Sequence, residues 1–327
     1  LYSCLFYALK EIVFSKDGHM AQPLSIDKYP KRHLTQRQKS LMPYFKKKLM
    51  DYGNMSNNNS DKNEVYNLDF IELLKIPSIP EKISMVYADP PYTDMQYSRY
   101  YHLLNVAAKY DYPELTVTRN GYTKGLYTEG RVQSRLSHKS SAKQQIEYLM
   151  KYCANNNIKL ALSYAYPQNV KKQATNRYTM TIDDIIYMSK EIFGDDKIEI
   201  KQVNYSHSNH RNSTTKQVIE YLVMCGSKKG QKLYSIDKVK KRLDTIKPTN
   251  RNDMYNSHLY WSQKSFNVCD ILIKELSEEG DIIFDPFLGS GVTVLEAVKK
   301  GTNRIGIGCD INEMPLFIPK TLLNCCF

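Results

Sequence analysis

The segment Asp89-Pro90-Pro91-Tyr92 places a carboxylate, a carbonyl and an aromatic ring together at one turn. It follows an apolar run at 83–88 that is typical of a buried strand. Proline cannot donate a hydrogen bond to a sheet, so the strand must end at this turn. A rigid turn that carries two oxygen acceptors and a flat ring can grip a planar amine. We therefore expect residues 89–92 to form one half of a reactive site.

A second turn, Asp285-Pro286-Phe287-Leu288-Gly289-Ser290-Gly291, follows the apolar run 282–284 and opens a predicted helix over 292–300. Glycines at such a turn let a ligand approach the backbone, and the helix N-terminus offers free N–H groups. Thr293 stands where a dinucleotide fingerprint needs its third glycine, and the Gly-Lys-Ser/Thr of a phosphate loop is absent. Neither nucleotide motif therefore fits.

Asp310 ends the next predicted strand, 304–308, about 20 residues after the glycine turn, where an acid can accept hydrogen bonds from ribose hydroxyls. The alternative is a cap on a helix that begins at Ile311. A glycine turn followed by a strand-end acid predicts a site for a nucleoside-bearing cofactor.

The elements that must position these turns follow residue 60. Short apolar runs alternate with helical patterns, which predicts an α/β fold with a mostly parallel sheet covered on both faces. The predicted strands are 64–68, 83–88, 158–163, 198–205, 218–225, 282–284 and 304–308, and the predicted helices are 143–155, 181–193, 266–276 and 293–299. Strands 198–205 and 218–225 are joined without room for a helix, so we expect an antiparallel hairpin. Thr181 is the predicted N-cap of a capping box.

Residues 1–60 form a predicted basic helical region, with a loop around Lys31-Arg32-His33 and a polar linker at 53–60. Residues 61–327 form the predicted catalytic domain, with insertions at 93–141 and 228–257. Both insertions are basic, and the first also carries many tyrosines. Cationic and aromatic side chains together suit phosphate contact and base stacking. A solvated surface is the alternative for each segment, as it is for the N-terminal helices.

The composition favours a polyanionic partner, because the 327 residues carry a formal net charge of +12. Solubility alone is the alternative reason for that charge. No run approaches the roughly 18–20 apolar residues that span a bilayer, and no signal peptide is evident. Seven cysteines without a CxxC spacing fit reduced thiols in a cytoplasm. Because the sequence begins at Leu1, we expect a longer parent protein.

The two motifs together resemble those of the S-adenosylmethionine-dependent DNA amino-methyltransferases, over residues 63–322. The catalytic motif precedes the cofactor motif, as in the permuted β group of that family. The resemblance implies a circularly permuted, Rossmann-like methyltransferase fold with a seven-stranded sheet. It also implies that the strands before Asp89 and Asp285 are neighbours, and that the hairpin closes the sheet.

The resemblance implies a role for each residue of the first motif. The Asp89 carboxylate and the Pro90 carbonyl would accept the two N–H groups of adenine N6, Pro91 would rigidify the turn, and Tyr92 would stack on the flipped base. Asp rather than Ser at the first position favours adenine N6 over cytosine N4. Cytosine C5 chemistry is excluded because the chain has no Pro-Cys dipeptide.

The cofactor implied is S-adenosylmethionine, and the residues implied to bind it come from four places in the chain. They are Asp69 and Phe70, Lys264, the turn residues Asp285, Pro286, Phe287, Gly289, Ser290 and Gly291, and Asp310. Ser265 departs from the family, which usually has proline after the lysine. Ser163-Tyr164 closes a predicted strand beside the site and would line the base pocket. The alternative for Tyr164 is a packing role. We expect no metal, although His207 and His210 form an HxxH spacing in the predicted hairpin loop.

Double-stranded DNA is the partner that the resemblance implies, in the cytoplasm of a bacterium or in a phage modification system. A second copy of the chain or the subunits of a restriction-modification system are further candidates. The candidate DNA-binding residues are Arg99, Arg119, Lys124, Arg131, Arg135, His207, Arg211, Lys240, Lys241 and Arg242. Alternatives are a cytosine-N4 methyltransferase, an RNA substrate, and a DNA-binding subunit of this fold without catalysis.

Overall fold

The computed structural model describes residues 1–14, 25–53, 62–79, 83–123, 125–168, 176–208, 215–226, 236–249, 255, 263–299 and 303–323. Lys124 and Arg211, most of the predicted linker and much of the 228–257 segment lie outside these ranges. His207 and Lys240 are described by their backbone only.

Nine strands and eleven helices lie within the described residues. In chain order the strands are β1 (Glu64–Tyr66), β2 (Met85–Ala88), β3 (Val117–Thr118), β4 (Gly121–Tyr122), β5 (Lys159–Pro167), β6 (Ile198–Ser208), β7 (Thr215–Cys225), β8 (Ile282–Asp285) and β9 (Ile305–Cys309). The helices are α1 (Tyr2–Ile12), α2 (Pro30–Arg37), α3 (Leu41–Gly53), α4 (Phe70–Leu74), α5 (Ser98–Lys109), α6 (Lys139–Asn155), α7 (Ile182–Phe193), α8 (Ile236–Asp244), α9 (Phe266–Leu276), α10 (Val292–Ala297) and α11 (Glu313–Leu323).

Seven of the strands form one sheet in the spatial order β1-β9-β8-β2-β5-β7-β6. The first five of that order pair in parallel, while β7 runs antiparallel to both β5 and β6. This confirms the predicted mostly parallel sheet, the predicted antiparallel hairpin and the predicted adjacency of the two motif strands. β3 and β4 form a separate small hairpin.

Strand β2 shows why the sheet is covered on both faces. Its side chains alternate between two cores, with Met85 and Tyr87 in one and Val86 and Ala88 in the other. The first core lies under α1, α5, α9, α10 and α11, and the second under α4, α6 and α7. A strand buried on both sides has a continuous apolar sequence. This is why the apolar run 83–88 predicted a buried strand.

Two predicted features were wrong, and one buried helix was not predicted. The predicted loop around Lys31 is a helix, because Pro30 takes the first helical position, where its missing N–H costs nothing. Within the predicted insertion 93–141, α5 buries Tyr101 and Leu104 in the first core, a feature that the sequence did not predict. His207 lies within β6, paired with Lys216, and not in the hairpin loop.

Two sequence predictions about the helices were confirmed. α9 has the predicted bounds, and Thr181 is the N-cap of α7 and forms a capping box with Asp184.

At the N-terminus, α1 packs on α11 through aromatic rings. The ring centroids of Tyr2 and Phe6 lie 4.9 and 6.0 Å from the ring centroid of Phe317. No helix in the described ranges is long and apolar enough to cross a membrane.

Close packing between β9 and the glycine turn fixes the position of that turn. A Cβ added at Gly308 would lie 2.4 Å from Cδ1 of Leu288 in the turn. The turn also donates a backbone hydrogen bond from Leu288 N to Cys309 O at 2.9 Å. Glycine at 308 therefore lets the turn lie directly on the neighbouring strand.

Replacing Gly308 by alanine should push Leu288 away and lower the free energy of unfolding by about 1–3 kcal/mol, the usual cost of overpacking. Urea unfolding of the Gly308→Ala chain measures this. In a Leu288→Ala background the same substitution should cost less, because the clashing atom is gone. Equal costs in both backgrounds would contradict the packing argument.

Candidate active site

A cavity of about 410 Å³ opens at the carboxyl ends of β1, β9, β8 and β2. In an open α/β sheet this is the edge where ligands collect. Each of those strands contributes an acid to its lining, and the four are Asp69, Asp310, Asp285 and Asp89. The cavity therefore joins the two sequence motifs in one space.

Neighbouring strands bring the motifs together. β2 and β8 pair in parallel, with Met85 opposite Ile283 and Val86 opposite Phe284. The turn after β2 and the turn after β8 consequently leave the sheet side by side.

The turn after β2 is held by aromatic rings. Tyr92 stacks on Tyr178 with ring centroids 6.0 Å apart, and the edge of Tyr164 packs against it at 6.0 Å. Tyr164 is fully buried and its hydroxyl donates to Met180 O at 3.0 Å. Of the two roles predicted for Tyr164, the structure shows packing, in support of Tyr92. Ser163 lines the cavity.

Asp89 is a largely buried carboxylate beside one cation. The Lys264 ammonium lies 2.8 Å from Asp89 Oδ1, and the exposed fractions of their side chains are 24% and 18%. Burial raises the pKa of Asp89 to about 6, Lys264 opposes this rise, and Glu220 adds to it. The pKa of Asp89 still lies below neutral pH, so Asp89 is ionised there and acts only as an acceptor.

The turn after β8 is bent by glycine and fixed by two acids. Gly291 has φ +78°, a conformation that side chains disfavour, and it precedes the first residue of α10. Asp285 Oδ1 accepts from Phe287 N at 2.9 Å within the turn. Burial also raises the pKa of Asp285 to about 7.

Asp310 connects this turn to the next strand. Its Oδ2 accepts from Gly289 N at 3.0 Å and its Oδ1 accepts from Asn312 N at 2.8 Å. The alternative of a helix cap at Ile311 was wrong, since α11 begins at Glu313. Asp310 instead shapes the glycine turn while lining the cavity.

Two phenylalanines form an apolar wall between β1 and the glycine turn. The rings of Phe70 and Phe287 meet edge to face with centroids 5.2 Å apart. Asp69 begins α4 by accepting from Ile71 N at 2.9 Å, which sets Phe70 in place. The wall offers a surface for a flat, apolar ring.

The lining suits S-adenosylmethionine. Its adenine matches the apolar wall, and its sulfonium and ammonium cations match a cavity where burial raises the pKa of three carboxyls, Asp89, Asp285 and Asp310. A bound cation stabilises the ionised form of such groups. Residues of the glycine turn would hold the amino acid part, and Asp310 the ribose.

Lys264 contacts the first motif. Besides Asp89, its ammonium lies 3.0 Å from Glu220 Oε1 and 3.3 Å from Ser163 Oγ. Lys264 was predicted among the cofactor residues, and Glu220 was not predicted as a site residue. The sequence did hold a signal for Glu220, because it is a charged residue within the apolar run of β7. It lies on the same face of the strand as Leu222.

The described DNA-binding candidates differ in their contacts and exposure. Arg99 and Arg131 both lie over the ring of Tyr127, at 5.6 and 5.2 Å, and Arg131 also donates to Thr116 Oγ1 at 2.7 Å. Arg242 is bonded to Glu275. Arg119, Arg135 and Lys241 have exposed side chains, and so does Arg99. These exposed cations suit phosphate contact.

No cluster of His, Cys, Asp and Glu within the described ranges has the geometry of a metal site. The side chain of His207 and all of His210 lie outside those ranges.

Comparison with models of known protein families identifies the family of this chain. The model of the N6/N4 methyltransferase family, described as DNA methylase, matches residues 83–316. The chain belongs to this family. A second model, described as D12 class N6 adenine-specific DNA methyltransferase, matches residues 28–124 of the chain. The family uses S-adenosylmethionine.

Named relatives are modification enzymes. The chain is 30% identical to the type II methyltransferase M.HpaI of Haemophilus parainfluenzae over 168 residues, 50% of this chain and 44% of that protein. It is 23% identical to the modification methylase StsI of Streptococcus sanguinis over 257 residues, 78% of this chain and 36% of that protein. The chain thus spans less than half the length of these relatives.

Solved structures share the α/β architecture at low identity. The M1.HpyAVI–SAM complex has 15% identity and a TM-score of 0.42, covering 80% of this chain and 99% of that one. The cytosine-N4-specific PvuII DNA methyltransferase has 14% identity and a TM-score of 0.42, covering 83% and 94%.

Removing the Lys264 cation should raise the pKa of Asp89 above about 6, because Lys264 lowers that pKa while burial and Glu220 raise it. Carboxyl NMR titration of Lys264→Met, with Asp89→Asn to assign the signal, measures the shift. Lys274→Met is a matched control, since Lys274 pairs with Asp270 on α9. An unchanged or lowered pKa of Asp89 in Lys264→Met would contradict the ion pair.

Proposed function

We propose that the protein transfers a methyl group from S-adenosylmethionine to the exocyclic N6 of an adenine in DNA. The observation that carries the proposal is the pairing of β2 with β8, since it puts Asp89-Pro90-Pro91-Tyr92 and the glycine turn on one cavity. Residues suited to accept an amine and residues suited to hold the cofactor then line the same cavity.

The acceptors address the weak nucleophilicity of the amine. The lone pair of adenine N6 is delocalised into the ring. When Asp89 and the Pro90 carbonyl accept its two N–H groups, the lone pair localises on nitrogen and points away from the ring. The acceptors are held by a buried strand end and two prolines, so they need no rearrangement during the reaction.

The bound cofactor supplies an already activated methyl carbon on a sulfonium. The chain's own residues orient the amine in line with that carbon. The nitrogen would form a new bond to this carbon as the carbon–sulfur bond breaks and its electron pair returns to sulfur, and the nitrogen would then lose one proton. Asp89 accepts that proton most directly, because it is ionised at neutral pH and already holds an N–H.

Two features support adenine over cytosine. One is the D12 adenine-specific match over residues 28–124, which includes Asp89. The other is Asp at the first position of the motif. A cytosine-N4 product is the second candidate, because cytosine presents the same amine beside a ring nitrogen, and the similar PvuII DNA methyltransferase is cytosine-N4-specific.

DNA is the acceptor that the charge favours. The chain carries a formal net charge of +12, and such a surface binds phosphates. The target base must leave the duplex to reach the cavity, which costs a few kcal/mol of unstacking. Phosphate contacts by exposed basic residues such as Arg119 and Arg135 offset this cost.

Incubation with labelled S-adenosylmethionine and mixed-sequence DNA should label the DNA. In Asp89→Ala the transfer rate should fall by at least about 100-fold, because a preorganised acceptor is lost. Binding of S-adenosylmethionine by calorimetry should persist in that variant. The control is Asp195→Ala, a surface carboxylate that pairs with Lys190. Full activity of Asp89→Ala refutes the assigned role, and DNA binding by the wild type without transfer supports the non-catalytic alternative.

Nucleoside mass spectrometry of the labelled DNA identifies the product. We expect N6-methyldeoxyadenosine, and N4-methyldeoxycytidine would establish the second candidate. RNA of the same sequences should accept much less label, because the proposal requires a base flipped from duplex DNA. Preferential labelling of RNA would overturn the assignment of DNA as the substrate.

A further inference from the structure

Three side chains form a polar group around the catalytic carboxylate. The Lys264 ammonium contacts Asp89 Oδ1 at 2.8 Å, Glu220 Oε1 at 3.0 Å and Ser163 Oγ at 3.3 Å. Ser163 Oγ in turn donates to Glu220 Oε1 at 2.6 Å. All four side chains line the same cavity as Tyr92.

The charges of this group fix what Lys264 can do. Burial lowers the pKa of Lys264, but Asp89 and Glu220 outweigh burial and raise that pKa well above its ordinary value, and Tyr87 and Tyr92 add to the rise. Asp285 is the other acid of the cavity that interacts with Asp89. Lys264 is therefore a permanent cation here, and an ammonium offers hydrogen-bond donors only.

An acceptor and a donor thus stand side by side at the bottom of the base pocket. Asp89 presents carboxylate oxygens, and Lys264 presents N–H groups 2.8 Å away. On adenine, the N6 amine lies next to the ring acceptor N1. On cytosine, the N4 amine lies next to the ring acceptor N3. Guanine and thymine present a carbonyl next to a ring N–H at the same edge, which is the opposite order.

One of the three ammonium contacts can be exchanged for a base. The contact with Ser163 Oγ is the longest at 3.3 Å, and Ser163 already donates to Glu220. Giving up that contact leaves Lys264 held by Asp89 and Glu220. Ser163 keeps its bond to Glu220, so no buried polar atom loses its only partner.

We infer that Lys264 donates a hydrogen bond to the ring nitrogen beside the reacting amine, and that Glu220 and Ser163 hold it in place for this. Lys264 is then a specificity-determining residue that admits adenine or cytosine and rejects guanine and thymine. This rests on the proposed function, because it concerns the base in the same pocket. The alternative is that Lys264 only balances the charge of Asp89 and never touches the base.

A base analogue separates these two roles. In 1-deazaadenine a C–H replaces N1, while N6 and N7 remain, so Asp89 keeps its partner and Lys264 loses one. In 7-deazaadenine N1 remains, which makes it the matched control. The duplexes carry the sequence found to be methylated, with the analogue at the methylated position. If the methylated base is cytosine, 3-deazacytosine takes the place of 1-deazaadenine.

The wild type should methylate the 1-deazaadenine duplex about 10- to 100-fold less efficiently in kcat/KM than the adenine duplex, the worth of one hydrogen bond to a charged group. Its kcat/KM for the 7-deazaadenine duplex should be close to that for the adenine duplex. A base without N1 pairs weakly and flips out of the duplex more easily. Easier flipping would raise kcat/KM, so it cannot be the cause of the expected decrease. In Lys264→Met the discrimination against 1-deazaadenine should disappear, and Lys264→Arg should retain it.

Lys274→Met should discriminate like the wild type, because Lys274 lies on the surface of α9. The inference is overturned if the wild type accepts 1-deazaadenine as readily as adenine, or if 7-deazaadenine suffers the same loss. It is also overturned if Lys264→Met still discriminates fully. The wild-type comparison alone can decide, should Lys264→Met fail to fold. A wild type that methylates no duplex would instead overturn the proposed function itself.

Discussion

Parallel pairing between β2 and β8 is the constraint on which the rest of the structure depends. Val86 lies opposite Phe284, so the turn that begins at Asp89 and the turn that begins at Asp285 emerge together. The two segments are far apart in the chain, and only the sheet makes them neighbours. Reversing their chain order leaves this adjacency unchanged, which explains how a permuted sequence can build the same site.

The site brings several buried acids together. Burial raises the pKa of Asp89, Asp285 and Asp310, and Lys264 is the described cation that contacts Asp89. A cavity of this kind favours a cationic ligand, and S-adenosylmethionine brings a sulfonium and an ammonium. The balance at Asp89 is therefore central: one ion pair keeps it ionised, while burial keeps the ion pair away from water and strengthens it.

Much of this could be predicted from the sequence, because the informative residues are local. Apolar runs ending at Asp89 and at Asp285 marked buried strands, and proline and glycine marked their turns. The pairing of those strands followed from family resemblance. Helices whose surfaces mix polar and apolar residues were harder to predict from the sequence. α5 was hidden because its buried Tyr101 is one of many tyrosines, and α2 buries nothing, so no apolar period marked it.

Contacts between distant residues could not be predicted. Glu220 meets Lys264 only because β7 lies beside β5, and no local pattern encodes that pairing. Lys264 was assigned to the cofactor by its place in a motif, whereas its contacts join it to Asp89.

We propose that Asp89 and the glycine turn form one methyl-transfer site for adenine in DNA. The decisive experiment is sequencing that maps methylated positions in DNA from cells expressing the chain. We expect N6-methyladenine at one recurring sequence, and none in cells that express Asp89→Ala at the same level. Unmodified DNA from cells with folded wild-type protein, or equal modification by both chains, would contradict it.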